Sequence, residues 1–561
     1  MNPLDIINYA GLTFEDFLKK RVFPAIMLSL FLSALTFFIF HDKGILVIVP
    51  FFILILGFFA APLYLFILYE KKRVEIDSTI HLFITYIGAI ASLGIPRGKL
   101  FEEASKKEEY GEITNIIKRI YYLARCWGLG FAKSCRKISR FVPSRVFSEF
   151  LDRFSAALDF GEPLDVFLWE EQKAVMDSYE VEYKKSLRWL EVLQDIYTSL
   201  LISFAFVVVC AILLPFVIEY SMLDLLAIAF FFLLLVDFIL LLFVKSFIVG
   251  HKISHNLKIK CKERLRLEKV FRALIPLVVL LAIILIGLNF FSLDMSLTLA
   301  ITPLLLVGIV AKLEENAILS RDNEFPAFIR SLGGAMSARG GSIIGTLESL
   351  RVHDFGVLNE HIEALYRRLK LGTNKSEAWE YFSGETGSHM IYEFSCIFID
   401  VLNLGGDVLK ASEIISNNFT RILDLRKLRL QMVSGLRGIF YGSVIAVAGT
   451  VFIGLESAHI LYKTFSEMVS SLGSEEITSM VANIVSIPKL ADIPTVESAI
   501  FIILLIHAAF TAILIKMLDG GNKYAAFLDF VIMTWLIFLT KIVIEVGSSY
   551  IFGSVSTMTS L

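Results

Sequence analysis

Paired cysteines are missing from this chain. Its five cysteines, Cys126, Cys135, Cys210, Cys261 and Cys396, form no C-x-x-C pair. All fall in apolar runs or in segments that the charge pattern places inside, so they read as free thiols rather than a disulfide frame or a zinc site. Net charge is nearly absent as well: 53 Lys and Arg against 55 Asp and Glu leave −2. By itself this argues against a polyanionic partner, nucleic acid included. Nucleophile-elbow, zincin and kinase signatures are lacking. A P-loop needs two glycines four residues apart, followed by Lys and a hydroxyl residue. The nearest string, Gly94-Ile95-Pro96-Arg97-Gly98-Lys99, has only three intervening residues and is followed by Leu100. It reads as a turn between helices. No catalytic residue, cofactor or metal is expected, and any energy source must be another protein or an ion gradient. His251 and His255 stand four apart in a segment read as helical, but no carboxylate or cysteine completes a metal site, and the surrounding lysines suit anionic lipid.

Apolar surface is what the chain has in excess. It is 56% hydrophobic and 13% aromatic, with a mean hydropathy of +0.70. Nine stretches are long and apolar enough to cross a bilayer: 22–40, 45–68, 196–218, 223–244, 273–291, 295–313, 438–455, 498–515 and 525–546. Only helices satisfy their own backbone in lipid at this length. The expected fold is therefore all-α and polytopic. The first stretch is too long for a signal-peptide core and lacks a small-x-small cleavage site. The segment before it, with Leu4, Ile7, Leu12, Phe14, Phe17 and Leu18, suits the membrane surface.

Basic residues are scarce on one side. With the N-terminus inside, next to Lys19, Lys20 and Arg21, the outer segments hold only Lys43, Lys463 and Lys489 of the 53 Lys and Arg. The loop 245–272 alone holds nine, and this asymmetry fixes the orientation. Five parts follow. Residues 1–68 are a surface helix and two spans. Residues 69–195 are a first cytoplasmic helical domain. Residues 196–313 are four spans around the basic loop 245–272. Residues 314–434 are a second cytoplasmic helical domain, and 435–561 are three spans with an acidic external loop, 456–497.

The two cytoplasmic segments repeat each other. A shift of 245 places Asp77 on Asp322, Phe83 on Phe328, Gly88 on Gly333, Ser92 on Ser337 and Gly111 on Gly356. After one deletion, a shift of 244 places Phe150 on Phe394, Phe154 on Phe398, Gly161 on Gly405 and Tyr197 on Tyr441. The flanking spans align too, in the same orientation, so the duplication is parallel. Phe83, Ile87, Ile90 and Ala91, and again Ile391, Phe394, Phe398 and Val401, have helical spacing. Breaks are expected at Gly94-Ile95-Pro96, Val142-Pro143-Ser144 and Gly161-Glu162-Pro163. In the second copy they fall at Arg339-Gly340-Gly341, Gly384-Glu385-Thr386-Gly387 and Leu404-Gly405-Gly406-Asp407. Ala174–Leu214 and Leu409–Gln431 hold no proline or glycine break and read as stalks rising into the membrane.

This layout resembles the type II secretion F-protein family, the membrane platform proteins of type II secretion, type IV pilus and archaeal filament machines. The resemblance covers almost the whole chain. It rests on the doubled bundle and on Phe325-Pro326-Ala327-Phe328-Ile329-Arg330, Trp379-Glu380-Tyr381-Phe382, Gly384-Glu385-Thr386-Gly387-Ser388 and Leu404-Gly405-Gly406-Asp407. These stretches are most similar to archaeal members, those of the archaellum above all, with adhesion-pilus platforms as the alternative. The resemblance implies a protein that is not an enzyme. It implies docking of a hexameric cytoplasmic ATPase, coupling of its cycle to assembly of pilin-like or archaellin subunits, rotation in an archaellum, and a homodimer on the ATPase axis. The first copy lacks the Gly-Glu-Thr-Gly turn, so roles do not transfer between copies.

Two sets of residues carry the functional expectations. Lys118, Arg119, Arg125, Lys133, Arg136, Lys137, Arg140 and Arg145 form a run with no Asp or Glu between them. With Arg367, Arg368, Lys370 and Lys375, and with the stalk residues Arg421, Arg426, Lys427 and Arg429, they suit docking onto an acidic rim, and equally a solvated or lipid-facing surface. Asp237 and Lys541 lie deep in the fourth and ninth spans and are expected to pair, for packing or as part of a proton path. Asp224, Asp529 and Glu545 fall near span ends, within reach of water. A secondary transporter is the rival reading, on the strength of nine spans, a duplication and intramembrane charge.

Overall fold

The computed structural model describes residues 19, 23–40, 48–91, 93–216, 222–247, 252–255, 257–288, 290–471 and 493–558. The surface segment expected before residue 18, His251 and the part of the external loop at 472–492 lie outside them. Among the described residues there is no strand. In chain order the helices are α1 (Phe23–Phe40), α2 (Ile48–Ala91), α3 (Arg97–Lys106), α4 (Glu112–Arg125), α5 (Phe131–Ser139), α6 (Arg145–Phe160), α7 (Leu164–Leu213), α8 (Met222–Phe247) and α9 (Lys262–Leu288). There follow α10 (Leu293–Ile301), α11 (Leu304–Ala338), α12 (Ile343–Leu350), α13 (Asn359–Lys370), α14 (Lys375–Thr386), α15 (His389–Asn403), α16 (Val408–Ser471), α17 (Ile493–Asp519) and α18 (Ala526–Met558).

Eight helical stretches among the described residues are long and apolar enough to cross a membrane. Seven coincide with the third to ninth stretches expected from the sequence. The eighth, Leu68–Ala91, differs in kind. It is 72% buried, and its apolar residues fill a protein core, with Phe83, Ile84 and Ala89 fully covered. The first two expected spans fall on α1 and the first half of α2. The stalks are long single helices, as the unbroken sequence predicts. α7 has 50 residues and α16 has 64, about 75 and 96 Å at 1.5 Å per residue. α16 runs on to Ser471, into the segment read as the external loop. The described part of the histidine segment differs from expectation: residues 252–255 and 257–261 are not helical. His255 Nδ1 accepts a bond from Leu257 N at 3.1 Å.

The chain divides into two compact units. The first comprises residues 1–186, 246–251 and 321–425, and the second 187–245, 252–320 and 426–561. The first unit contains most of the repeated helical domain of each copy, residues 69–186 and 321–425, and their details match. Ser144 caps α6 by accepting from Phe147 N at 3.2 Å and donates to Asp77 Oδ1 at 2.5 Å. Ser388 caps α15 by accepting from Ile391 N at 3.1 Å and donates to Asp322. Each serine thus fixes a helix start with one lone pair and ties it to the long helix of its own copy with its proton. The cores are aromatic. Phe101 stacks on Phe131 and Phe154 at 4.6 and 5.4 Å, and Trp379 packs on Phe382 and Phe398 at 5.3 and 5.5 Å. Such contacts add about 0.5–1.5 kcal/mol each beyond area burial.

The second unit packs helices of the apolar stretches. Gly308 on α11 sits where a Cβ would fall 2.4 Å from Leu528 N and 2.7 Å from its Cα. Only glycine lets these two backbones approach so closely, as at other helix contacts in lipid.

Candidate functional site

The first basic run lies on α4, α5 and the turns around them. Arg119, Arg125, Lys133, Arg136, Lys137, Arg140 and Arg145 are exposed, and Lys118 is half-buried. The run is free of acids in sequence but not in space. Glu108 reaches Lys118 at 3.5 Å, Asp159 reaches Arg136 at 2.6 Å and Glu149 reaches Arg145 at 2.8 Å. Arg125, Lys133, Lys137 and Arg140 form no ion pair among the described residues. They leave a cationic surface on the first copy.

The second copy is arranged differently. Arg367 pairs with Glu363 at 2.9 Å, and Arg351 holds the same carboxylate at 2.5 Å. Arg368 grips Glu385 with both terminal nitrogens and lies 5.0 Å over the Tyr381 ring. Lys370 donates to the Tyr366 hydroxyl at 3.1 Å. The Gly-Glu-Thr-Gly-Ser stretch thereby acquires a structural account. Glu385 binds Arg368, the Thr386 carbonyl accepts from Arg321 at 2.9 Å, Gly387 ends α14 at φ +74°, and Ser388 starts α15. It is a clasp closing the second copy on itself, and it consumes the charge of Arg368.

The stalk cluster is corrected. Arg421 pairs with Asp177 of the first copy and Lys427 is exposed, but Arg426 and Arg429 are 4% and 3% exposed. Arg429 donates to the carbonyls of Leu518 and Met517 at 2.6 and 3.0 Å. It satisfies the C-terminal end of α17, where carbonyls lack helical partners. Neither buried arginine can meet an outside partner.

The two copies also touch each other within the first unit. Lys107 bonds Asp400 at 2.5 Å. Asn418 Nδ2 donates to Thr85 Oγ1 at 2.8 Å and to Gln172 Oε1 at 2.9 Å. A cavity of about 160 Å³ lies beside the ion pair, lined by Lys107, Trp379, Tyr392, Cys396 and Asp400 among others. Burial raises the Asp400 carboxyl above the ordinary value of 3.8, against the lowering effect of Lys107. Burial also pushes the Cys396 thiol up, which makes it an inert thiol. A raised carboxyl holds its proton more tightly in the folded than in the unfolded chain. Its contribution therefore favours the fold at acid pH and declines as pH rises through the interval above 3.8. Hydrogen-exchange protection of α15 is expected to decline over that interval. Asp400→Asn is expected to remove the slope, and an unchanged slope would show that Asp400 does not set it.

Buried charge in the second unit overturns the expected pair. Asp237 does not meet Lys541. Its Oδ2 lies 2.7 Å from His507 Nδ1, with the two side chains 4% and 0% exposed. Lys541 instead bonds Asp294, with Glu497 at 2.7 Å and Glu545 at 3.5 Å. Asp529, expected near water, is 2% exposed, taking the Tyr441 hydroxyl and Arg437 at 3.3 Å. A further cluster links α11, α16, α17 and the turn at Asn522. Lys516 lies between Glu315 at 2.5 Å and Asp519 at 2.9 Å. Lys312 reaches Glu315 at 3.0 Å, and Arg437 of α16 reaches Asp519 at 3.4 Å. Asn522 donates its side chain to Glu314 at 2.6 Å and its backbone N–H to Glu315. The sequence reading missed His507, Asp294, Glu315 and Lys516. His507, the one histidine inside the eighth apolar run, was the available signal. Groups of three or more possible metal ligands are absent among the described residues.

Comparison with known proteins follows the duplication. The family model for type II secretion system (T2SS), protein F matches residues 83–212 and again 328–455. The two matches begin 245 residues apart, the offset that aligns Phe83 with Phe328. Flagella accessory protein J of Methanocaldococcus jannaschii is 33% identical over 555 residues, covering 96% of this chain and 97% of the relative. Flagella accessory protein J of Methanococcus voltae is 30% identical over 552 residues, covering 97% of each. No solved structure matches the chain. The chain therefore belongs to the type II secretion system protein F family, as an all-helical, multi-pass membrane protein of the archaellum and type IV pilus platform class.

Proposed function

We propose that this chain is the platform of an archaellum, with the N-terminus and both repeated domains in the cytoplasm. It docks a hexameric secretion ATPase and couples that enzyme's cycle to archaellin assembly and rotation. The observation that carries the reading is the near full-length likeness to two flagella accessory proteins J. The orientation follows from basic residues gathered on one side of the apolar runs. A platform has no chemistry of its own to perform; it has to receive force and deliver it. Two features suit that role. The stalk helix α16 is continuous from Val408 to Ser471, and it carries Arg429 and Arg437 to the charge cluster at the end of α17. The unpaired cations of the first copy would steer an acidic partner. A homodimer on the ATPase axis completes the proposal. An adhesion pilus platform is the second reading, since the family match covers both machines.

Deleting the gene is expected to abolish archaellar filaments and swimming with solute uptake unchanged. Loss of adhesion pili alone would favour the second reading, and a flux defect would favour a transporter. Charge reversal of Arg125, Lys137 and Arg140 is expected to weaken binding of the purified ATPase by about 100-fold while the protein still inserts. Reversal of Arg367 and Arg368 should cost less, because Glu363 and Glu385 already neutralise them. Wild-type binding by the first variant would refute the docking surface.

A further inference from the structure

Away from the apolar runs, two side chains stand out on the first copy: Trp127 is 77% and Phe160 is 88% exposed. A single exposed apolar residue is ordinary. Here the second copy repeats both. The repeat offset of 244 carries Trp127 to Leu371, which is 85% exposed, and Phe160 to Leu404, which is 41% exposed. The backbone repeats with them. Trp127 and Leu371 each follow the last turn of a helix, α4 or α13, and precede a glycine at positive φ, Gly128 at +67° and Gly372 at +86°. Phe160 and Leu404 each precede Gly161 at +74° or Gly405 at +79°. In each copy the residue before the second knob bonds to the helix that follows the first knob. Arg136 of α5 reaches Asp159 at 2.6 Å, and Asn403 reaches Ser376 of α14 at 3.2 Å. Around Gly128, Gly130, Gly372 and Gly405 no atom lies within 4 Å of where a Cβ would stand, so these tips are open.

Cations lie beside the knobs. Arg125 is two residues from Trp127 in sequence, and Lys133 and Lys137 lie on the next helix. In the second copy Lys370 precedes Leu371, while Arg367 is already paired with Glu363. Like charge opposes a second copy of this chain as the occupant. Lipid is opposed by distance. α7 begins four residues after Phe160, and its stretch Leu164–Ser186 within this unit is about 33 Å long at 1.5 Å per residue. What remains is a protein surface that is acidic at its rim and apolar at its centre. A buried aromatic ringed by water-excluding polar contacts is the usual anchor of such an interface.

We propose that Trp127 with Phe160, and Leu371 with Leu404, are two equivalent anchors that seat in identical acid-rimmed sockets on two subunits of one homo-oligomeric partner. This rests on the docking reading above and names what holds it. A surface that occurs twice in one chain finds two identical sockets only on a partner built of repeated subunits. Engaging both raises affinity through effective concentration rather than through new contacts. The aromatic pair anchors the stronger site and the leucine pair the weaker.

The test uses the full chain in lipid nanodiscs and the purified ATPase, once as hexamer and once as a variant held monomeric. Trp127→Ala is expected to weaken hexamer binding about 30-fold. Leu371→Ala should weaken hexamer binding about fivefold and leave monomer binding unchanged, because only the hexamer occupies both sites. All these residues are exposed, so the apparent unfolding temperature serves as the folding control. Trp127→Gln replaces any variant that lowers it. If Leu371→Ala and Leu404→Ala bind the hexamer like wild type, the two-site proposal falls. If the four alanine variants all bind normally while reversal of Arg125, Lys137 and Arg140 abolishes binding, the anchors are wrong and docking stands. If neither set changes binding, both fall.

Discussion

Lys541→Met is expected to destabilise the protein by about 3–5 kcal/mol, because it removes the one cation among three carboxylates. Asp294 is 2% exposed, and Glu497 and Glu545 lie 2.7 and 3.5 Å from the ammonium. Without Lys541 the Asp294 carboxylate has no countercharge in an apolar span. It must take up a proton or draw in water, and either disrupts the packing of α10 on α18. Asp294→Asn combined with Lys541→Met removes the stranded charge, so the double variant should be milder than Lys541→Met alone. Apparent unfolding midpoints of the purified protein in detergent decide it. If Lys541→Met melts with the wild type, the ion pair carries no stability.

Lys516→Met should cost a similar amount, about 3–5 kcal/mol, for a related reason. The ammonium is 5% exposed and sits between two carboxylates exposed to 2% and 5%, those of Glu315 and Asp519. Lys312 and Arg437 remain, at 3.0 Å from Glu315 and 3.4 Å from Asp519, but the centre of the cluster is lost. This is the place where α16 is tied to the end of α17, so the stalk is expected to loosen there. Hydrogen exchange at Leu518–Asn522 should rise first. Lys523→Met, exposed and seven residues away, is the control and should change stability by less than about 0.5 kcal/mol. Equal exchange in the two variants would mean that the cluster does not hold the stalk.

The sequence made the architecture readable because two strong signals carried it. Length and hydropathy define spans almost without regard to neighbours, since a backbone in lipid has no other solution. Glycine and proline mark breaks wherever the chain must turn, and Gly94, Pro143, Gly161, Gly340, Gly387 and Gly405 all fall at helix ends in the structure. The stretch Leu68–Ala91, apolar enough to cross a membrane yet buried in a protein core, shows the limit of hydropathy. A core helix and a span share a composition, and only burial distinguishes them. The repeat was legible for the same reason: Asp77 and Asp322, with Ser144 and Ser388, hold the same bond in both copies.

Charge was less legible. A run without acids looked wholly cationic, yet Glu108, Glu149 and Asp159 approach it from neighbouring elements. Asp237 and Lys541 looked like partners because they were the deepest opposite charges; the fold instead gives Asp237 to His507 and Lys541 to Asp294. Arg426 and Arg429 looked like surface residues of a stalk and are buried. The amino-acid sequence by itself determined an all-helical membrane protein, a parallel duplication and the family to which it belongs. Tertiary structure alone decided which charges are paired, which are buried and which of two similar copies keeps its cations exposed. The physical reason is range. Hydropathy and turn propensity act within about 20 residues of chain, whereas an ion pair is set by a few ångströms of space between residues such as Asp294 and Lys541, which lie 247 apart in sequence.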